Sequence, residues 1–374
     1  MSWQLMRLLV ELSLNLHFFM RLRAAFGGGW WQLPVLFWLA LMMLPIFFMR
    51  RGLIPPEAME VLMWVGPIWT GFLIIFTVTA LGFDLLRLVT GLAGSISGRS
   101  WWSLLAAKRA VPITLILAAL LTAHSFYQAY HPRLVKIELS TKRLPENLDS
   151  LRLVQLTDVH LSRFIGQKEL SRMVKLAAEQ KPDILVVTGD LVDGDMSRRT
   201  AEADLLANIK PRYGSYAVLG NHEMYAGLAN ALSFYQRAGL RLLRGEAVET
   251  AGGMIVAGVD DEVFGGRYDI RPAGKLLDVY KNDPRFILFL KHRPVPAPGT
   301  DGLFDLQLSG HTHGGQIFPG HIIIKKVNTY LYGLYSLNSR SRLYVSRGTG
   351  FWGLPIRFMA PPEVVVIDLK RKLD

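Results

Sequence analysis

Cysteine is absent from the 374 residues of this chain. The absence excludes disulfide bonds and thiolate metal sites, so any metal ion must be held by nitrogen and oxygen ligands. It does not identify a cellular compartment. Charged residues are also scarce, at 19%, whereas hydrophobic residues make up 51% and are concentrated before residue 130. At this length, such a composition predicts two parts, of which the first is embedded in a membrane.

Three stretches near the start of the chain lack charge over the roughly 20 residues that are needed to cross a bilayer. These are residues 30–49, 61–83 and 110–130. A fourth stretch, residues 5–19, contains Glu11, Asn15 and His17. It is either a weaker span or an amphipathic helix on the membrane surface. We therefore predict an α-helical transmembrane region over residues 1–132, with three or four helices.

Basic residues beside these stretches predict the orientation of the chain in the membrane. Those on one side are Arg21, Arg23, Arg87, Arg99, Lys108 and Arg109. Only Arg50 and Arg51 lie on the other side. The positive-inside rule then places the more basic side in the cytoplasm and the chain after residue 130 outside it. Because Arg50 and Arg51 oppose this orientation, a cytoplasmic second part is the alternative.

The net charge of +12 is divided unevenly between the two parts. Residues 1–132 carry nine basic and four acidic residues (+5), and residues 133–374 carry 33 basic and 26 acidic residues (+7). The basic second part suits an anionic substrate or lipid head groups, although an ordinary solvated surface has the same composition. No nucleic-acid-binding motif and no internal repeat occur, so a nucleic-acid partner is not indicated. The sequence does not indicate an oligomeric state.

From residue 151 the sequence changes to short apolar runs separated by amphipathic helical patterns, which is typical of an α/β domain. Residues 133–150 are predicted to be a linker. Five apolar runs end on Asp, Asn or His residues, namely Asp158 and His160, Asp190 and Asp193, Asn221 and His222, His292, and His311 and His313. Sites in α/β sheets assemble at the carboxyl ends of strands. We therefore expect these side chains to meet, and only His321 among the later histidines lies elsewhere.

The chemistry of this set predicts a metal centre. Aspartate, asparagine and histidine ligands without sulfur suit a pair of divalent ions such as Mn²⁺, Fe²⁺ or Zn²⁺. Six or seven ligands are too many for a single catalytic zinc with an open position. Asp190, central in the ligand order, is the candidate carboxylate that bridges the two ions. Gly310, Gly314 and Gly315 leave the backbone around the last histidines free to turn and to approach a ligand closely.

The motifs occur in the order D-x-H at 158–160, G-D-x-x-D at 189–193, G-N-H-E at 220–223, a lone His at 292 and G-H-T-H at 310–313. In this order they resemble the calcineurin-like metallophosphoesterase superfamily, over about residues 151–369. The stretches LSGHTHGGQIFPG and SRGTGFWGLPIRFMAPPEVVVI are similar to the bacterial membrane-anchored branch, which includes UDP-2,3-diacylglucosamine pyrophosphatases of lipid A synthesis.

The resemblance implies a fold and a location. The fold is an α/β (α+β) four-layer sandwich of two mixed β-sheets flanked by helices, which we expect over residues 151–374 as the catalytic domain. The α-helical transmembrane region precedes it. The location implied is the bacterial inner membrane, with several spans and, from the charge pattern, an extracytoplasmic catalytic domain.

The resemblance also implies a role for each site residue. The first ion is held by Asp158, His160 and His313, the second by Asn221, His292 and His311, and Asp190 bridges them. His222 is not a ligand but the catalytic imidazole, which stabilises or protonates the phosphoryl and leaving oxygens. Asp193 and Glu223 could orient such histidines. For Glu223, a surface carboxylate that opens a helix is an equal alternative.

These observations predict a membrane-anchored phosphoesterase that uses two divalent ions. It would hydrolyse a phosphomonoester, phosphodiester or pyrophosphate bond by attack of a metal-bound hydroxide on phosphorus. Tyr330, Tyr332, Tyr335 and residues 351–354 either form an apolar lip for a lipid-linked substrate or pack as an ordinary hairpin. A UDP-2,3-diacylglucosamine pyrophosphatase is a narrower alternative. A non-catalytic membrane metal sensor or scaffold is the alternative from another class.

Overall fold

The structure is a computed structural model that describes residues 3–48, 55–97, 106–264 and 272–372. The chain divides into two compact units. The helical unit comprises Met1–Tyr127 together with Gly353–Phe358, and the sheet unit comprises Gln128–Trp352 together with Met359–Asp374.

The helical unit is built from four helices, α1 (Trp3–Phe26), α2 (Gln32–Phe48), α3 (Pro56–Ser97) and α4 (Ala107–Ala129). Among the described residues, two stretches are long and apolar enough to cross a membrane, Pro56–Ser95 and Lys108–Ala129. The first contains the predicted span 61–83, and the second covers the predicted span 110–130 except for its last residue, Tyr130. The predicted span 30–49 coincides with α2, which has 17 residues, and its last residue lies outside the described part of the chain.

Helix α1 explains the polar residues of stretch 5–19, because they face another helix. Glu11 and Asn15 are buried, and both bond to α3. The Thr70 hydroxyl donates to Glu11 Oε1 at 2.7 Å, and Trp69 Nε1 donates to Asn15 Oδ1 at 3.2 Å. The ring of Phe18 packs edge-on against that of Trp69. Helix α1 is therefore joined to α3 by hydrogen bonds as well as by apolar packing.

Helix α3 is longer than the sequence predicted, with 42 residues. Arg87, which we placed in a loop, therefore lies within this helix. Arg21 lies within α1 and forms an ion pair with Asp84 of α3. Arg50, Arg51 and Arg99 lie outside the described residues. The predicted orientation stays a prediction.

The strands of the sheet unit are β1 (Arg133–Thr141), β2 (Ser150–Leu156), β3 (Ile184–Thr188), β4 (Ser215–Val218), β5 (Arg241–Leu242), β6 (Glu246–Glu249), β7 (Ile255–Val259), β8 (Ile287–Lys291), β9 (Leu306–Ser309), β10 (Gly333–Ser336), β11 (Arg342–Val345) and β12 (Glu363–Arg371). Its helices are α5 (Gln167–Ala178), α6 (Thr200–Ala207), α7 (Asn221–Ala226), α8 (Leu228–Arg237), α9 (Ala273–Asp278) and α10 (Gly320–Val327). Short 3₁₀ turns occur at Glu262–Phe264 and His313–Gly315.

These strands form two six-stranded sheets, in the orders β1-β12-β2-β3-β4-β5 and β10-β11-β9-β8-β7-β6. Strands β2 to β5 are parallel, and so are β7, β8, β9 and β11. Antiparallel partners occur at β12 and at the edges β6 and β10. Every residue of β3 and β8 is buried, as expected of parallel strands that are covered on both faces.

The two sheets pack face to face. Leu153 and Val186 of the first sheet share a buried core with Leu288 and Leu308 of the second. Helices α5, α6 and α8 cover the outer face of the first sheet, and α9 covers the outer face of the second. The predicted four-layer sandwich of two mixed sheets flanked by helices is confirmed.

The structure differs from the predicted linker at residues 133–150. Residues 133–141 form β1, which runs parallel to β12 from the pair Arg133 and Glu363 to the pair Thr141 and Arg371. This strand has no clear pattern in the sequence, because β1 is an edge strand in which only Leu139 is buried. Its partner strand lies at the other end of the chain. The sheet unit therefore begins well before residue 151.

Candidate metal centre

The carboxyl ends of five parallel strands, β2, β3 and β4 in one sheet and β8 and β9 in the other, carry the predicted site residues. Backbone hydrogen bonds continue beyond these ends. The Asp158 N–H donates to the Gly189 carbonyl, and the His160 N–H to the Asp190 carbonyl, each at 3.0 Å. The N–H of Gly310 donates to the His292 carbonyl at 3.0 Å. The loops that follow the strands are therefore held beside one another.

Five of the predicted ligands have left-handed backbone conformations. Their φ angles are 51° at Asp158, 53° at His160, 50° at Asp190, 73° at His311 and 51° at His313. Such a conformation costs a residue with a Cβ about 1–3 kcal/mol, and it persists only where the surrounding structure imposes it. This concentration of strained residues at one edge of the sandwich is typical of a functional site.

The first group of side chains consists of Asp158, His160 and His313, all of them buried. The Nε2 atoms of His160 and His313 are 3.0 Å apart. His313 Nε2 also lies 3.4 Å from Asp158 Oδ1. Three potential ligand atoms thus converge on one small volume.

The second group consists of Asp190, His292 and His311. His292 Nδ1 is 2.8 Å from the carbonyl oxygen of Thr188 and must donate to it, because a carbonyl only accepts. In a neutral ring, His292 Nε2 then carries a lone pair. That atom faces Asp190 Oδ2 at 3.1 Å and His311 Nδ1 at 3.2 Å. Three potential ligand atoms of Asp190, His292 and His311 thus also converge on one small volume.

Asp190 lies between the two groups. Its Oδ2 atom is 3.1 Å from His292 Nε2 in the second group and 3.8 Å from His160 Nε2 in the first. Its Oδ1 atom accepts the backbone N–H of His222 at 2.8 Å. The carboxylate of Asp190 therefore lies within 4 Å of an imidazole of each group.

The side chain of Asn221 is an independent indication of a metal site. Its side chain is buried, and its Oδ1 atom has no hydrogen-bond partner among the described residues. A buried amide oxygen left unpaired costs about 1–3 kcal/mol. A metal ion would satisfy it, and the residues on either side of Asn221 already contact the Asp190 carboxylate. The donor set of imidazole, carboxylate and amide oxygen therefore fits divalent cations.

The electrostatics of the two groups favour positive charge in the hollow. Burial lowers the pKa of His292, but the carboxylates of Asp190 and Asp158 outweigh burial and raise it to about 10. Burial, His292 and Arg293 lower the pKa of His311 to about 3. Burial raises the pKa of Asp190, yet the neighbouring imidazoles hold that pKa well below its usual range. The buried carboxylates thus favour positive charge among the neighbouring ligand atoms, which a divalent cation would supply.

The glycines of the motifs allow one loop to lie against the carboxylate of another. A Cβ at Gly310 would collide with the carboxylate of Asp158 and the hydroxyl of Thr157. A Cβ at Gly220 would collide with the carboxylate of Asp190. We predicted that the glycines here allow a turn and a close approach to a ligand. Gly310 has no positive φ, and its physical reason is the close approach of the backbone to the Asp158 carboxylate.

His222 forms a third candidate group with His160 and Asp193, and its side chain is 12% exposed. Its Nδ1 atom donates to Asp193 Oδ1 at 2.9 Å, since a carboxylate only accepts. Its ring packs edge-on against His160, with centroids 4.6 Å apart, and lies near the rings of Tyr225 and Trp352. Burial lowers the pKa of His222, but Asp193 and other nearby carboxylates outweigh burial and raise it. Asp193 therefore orients the predicted catalytic imidazole.

Glu223 has a different role from either of those predicted. Its side chain is fully buried, so the alternative of a surface carboxylate is wrong. The carboxylate accepts the backbone N–H groups of Gly220 and Leu191 at 2.7 and 2.8 Å, and the hydroxyl of Tyr235 at 2.9 Å. It also accepts the N–H of Asp190 at 3.1 Å. Glu223 thus fixes the loop that carries Asp190 and does not contact a histidine ring.

Thr349 and Gly350, which follow β11, contact the site but were not among the predicted site residues. The N–H of Thr349 donates to the Thr157 carbonyl at 2.7 Å, and that of Gly350 to the Asp158 carbonyl at 3.0 Å. These bonds join the second sheet to the loop of the first ion group. The signal was available, because the apolar run RLYV is followed by the glycine-rich stretch SRGTG.

This chain is similar in sequence to known metallophosphoesterases. A family model described as calcineurin-like phosphoesterase matches residues 151–315. An uncharacterized metallophosphoesterase of Aquifex aeolicus is 38% identical over 261 residues, which is 69% of this chain and 99% of the relative. A transmembrane protein with metallophosphoesterase domain from Danio rerio is 34% identical, over 70% of this chain and 63% of the relative. A crystal structure of a dimetal phosphatase from Danio rerio overlaps 60% of this chain and 93% of its own, with 13% identity and a TM-score of 0.39.

Proposed function

The chain belongs to the calcineurin-like phosphoesterase family, and from this membership we propose that it is a membrane-anchored hydrolase with a two-metal centre, acting on a phosphomonoester, phosphodiester or pyrophosphate. The membership confirms the class of enzyme predicted from the sequence, a metal-dependent phosphoesterase. The centre, its ligands and the anchoring are the proposal. The single observation that carries it is the convergence of two ligand groups, in which Asp190 of the second group also approaches His160 of the first within 3.8 Å.

The residues present fit two divalent cations. Asp158, His160 and His313 would hold one, Asn221, His292 and His311 the other, and Asp190 would contact both. When bound, such a pair activates a water molecule and stabilises negative charge on the phosphoryl oxygens. Mn²⁺, Zn²⁺ and Fe²⁺ all suit this donor set.

The protein's own groups would then position the substrate and move a proton. His222 lies on the open side of the centre, with its Nδ1 proton directed at Asp193. Its Nε2 atom is left to stabilise a phosphoryl oxygen or to protonate the leaving oxygen. Glu223 keeps Asp190 in place through the backbone of its loop.

A Mn²⁺-dependent assay of the full chain on bis-p-nitrophenyl phosphate tests the proposal. We expect turnover that is abolished by a chelator and restored by added Mn²⁺. Absence of turnover with Mn²⁺, Zn²⁺ and Fe²⁺ alike would favour the alternative of a non-catalytic metal sensor or scaffold.

Membrane anchoring is supported by two helices of sufficient length and apolarity and by a relative named as a transmembrane protein. We propose a multi-pass protein of the bacterial inner membrane with an extracytoplasmic catalytic domain, as the basic residues near the spans favour. Alkaline phosphatase fused to the C-terminal end should then be active and green fluorescent protein fused there dark. The reverse result would contradict this orientation.

The same fusions separate two classes of substrate. UDP-2,3-diacylglucosamine is a cytoplasmic nucleotide-linked lipid, so a pyrophosphatase for it requires a cytoplasmic catalytic domain. The stretches LSGHTHGGQIFPG and SRGTGFWGLPIRFMAPPEVVVI support this narrower alternative. An extracytoplasmic domain would instead restrict the substrate to phosphoesters available outside the cytoplasm.

A further inference from the structure

Helix α10 presents an exposed surface that combines apolar and basic residues. All of the following side chains are exposed, and together we call them the α10 surface: Ile322, Ile323, Lys325, Lys326 and Val327. The apolar members are 50%, 66% and 75% exposed, and no residue of α10 is buried. Exposing three neighbouring apolar side chains to water is unfavourable in free energy, so such a patch is typical of a surface that another molecule covers.

This surface lies directly beside the proposed metal centre. The 3₁₀ turn His313–Gly315 packs so closely on α10 that a Cβ at Gly315 would collide with the backbone of His321. The next residue, Gln316, exchanges two hydrogen bonds with the backbone of Trp352, at 2.7 and 3.0 Å. Trp352 is 42% exposed, and its ring lies 5.8 Å from that of His222. The 3₁₀ turn and Gln316 thus connect α10 to the exposed Trp352, whose ring lies beside His222.

The charged residues in the segment that contains α10 are all basic. Residues 306–362 contain six basic residues and no acidic residue. Lys325 and Lys326 lie on α10 itself, between its exposed apolar side chains. A partner for this surface must therefore be apolar in part and anionic in part.

We propose that the α10 surface docks on an anionic phospholipid bilayer, with Ile322, Ile323 and Val327 entering the head-group region and the two lysines contacting lipid phosphates. Lysine is depleted at protein–protein interfaces, whereas it is typical of the polar face of helices that lie on membranes. The proposal deepens the proposed function and rests on it, because docking would present lipid-borne phosphoesters to the metal centre.

The absence of cysteine makes the proposal directly measurable. Full-length protein with the single substitution Ile323→Cys is labelled with an environment-sensitive fluorophore and reconstituted into nanodiscs of POPC and POPG that contain nitroxide lipids. Val279→Cys is the matched control, because Val279 is 71% exposed at the end of α9, which covers the second sheet. We expect quenching several-fold stronger at position 323 than at position 279.

Charge reversal tests the role of the lysines. Lys325→Glu with Lys326→Glu, in the Ile323→Cys background, should weaken the quenching at least about tenfold, because each basic residue contributes about fivefold to binding of anionic lipid. The control pair Lys275→Glu and Lys281→Glu, also exposed, should leave quenching at position 323 unchanged. Pure POPC nanodiscs should reproduce the effect of the α10 reversal.

Turnover of bis-p-nitrophenyl phosphate in the same samples separates this inference from the proposed function. Lys325 and Lys326 are not part of the metal centre, so the double variant should hydrolyse this water-soluble diester at the wild-type rate. If quenching at position 323 is no stronger than at position 279, the proposed docking surface is wrong. This holds even if the protein is active, and even if it self-associates through α10. Strong, charge-dependent quenching in an inactive protein would uphold the docking surface and overturn the proposed function.

Discussion

Apolar side chains are often exposed in the helical unit, whereas those of the central strands in the sheet unit are buried. In α1 and α4, Leu16 is 58% exposed and Ile116 is 63% exposed, whereas every residue of β3 and β8 is buried. A helix satisfies its backbone hydrogen bonds internally and can present apolar groups to lipid. A strand depends on neighbours that come from elsewhere in the chain. A change to a single side chain should therefore matter most in the sheet unit, where its loops meet.

The largest contrast is expected between two aspartates. Asp190→Asn removes a charge that lies close to both ligand groups, so it should lower metal occupancy. It should also lower kcat/KM by about 10³-fold or more, because metal-ion catalysis supplies several kcal/mol. Elemental analysis and the diester assay measure the two effects. Asp84→Asn in the helical unit is the control, and its activity should stay at the wild-type level. Full metal occupancy in Asp190→Asn would contradict the bridging position.

Two histidines give the next contrast. His222→Ala should retain its metal but lose about 10²–10⁴-fold in kcat if the imidazole serves as a general acid. His124→Ala, an exposed histidine of α4, should keep the wild-type kcat on the same soluble diester. Unchanged turnover in His222→Ala would reject the catalytic role.

Asp193 should have a smaller effect, because it acts on His222 from a distance. Asp193→Asn keeps a hydrogen-bonding group but weakens the orientation of the imidazole, and we expect kcat to fall about 10–100-fold. Asp195→Asn, an exposed neighbour whose carboxylate bonds to Ser197, is the control. If Asp193 only stabilised the fold, the variant would lose thermal stability while its kcat per folded molecule stayed unchanged.

The smallest contrast compares one methyl group in each unit. Gly310→Ala forces the Asp158 carboxylate to move and should lower the free energy of unfolding by about 1–3 kcal/mol. Gly82→Ala adds the same methyl group to α3, where no atom lies within 4 Å, and should leave stability unchanged or raise it by up to about 1 kcal/mol. Thermal unfolding of both variants in detergent measures the difference. Equal losses in the free energy of unfolding of the two variants would show that the two units tolerate an added methyl group equally.

Much of the fold was predictable because its signals are local. The amphipathic period of α5 and α8 and the apolar runs of β2, β3, β4, β8 and β9 occur where the sequence predicted them. Strand β1 was missed, since an edge strand with one buried residue has no distinct pattern. The extension of α3 beyond residue 83 was also missed, because the predicted span stopped at the first charge, Asp84, which is paired with Arg21.

The candidate site was predictable in composition but not in arrangement. The order of the motifs identified the residues that gather, and the structure brings Asp158, Asp190, His292 and His313 into two adjoining groups. Nothing local indicated that Glu223 would be buried against four backbone N–H groups. That role depends on the loop after β3, about 30 residues away in sequence, and on Tyr235 of α8.

The sequence by itself determined the division into an apolar helical part and a sandwich, the candidate metal ligands and the family, because composition, period and motif order are properties of neighbouring residues. Only the tertiary structure decided that Asp190 lies between two ligand groups, that Gly310 makes room for Asp158, and that α10 stays exposed beside the centre. These features depend on atoms from distant segments, such as His311 and Asp158, whose bond at 2.9 Å joins residues 153 positions apart. Such contacts follow from the packing of two sheets and leave no periodic trace in the chain.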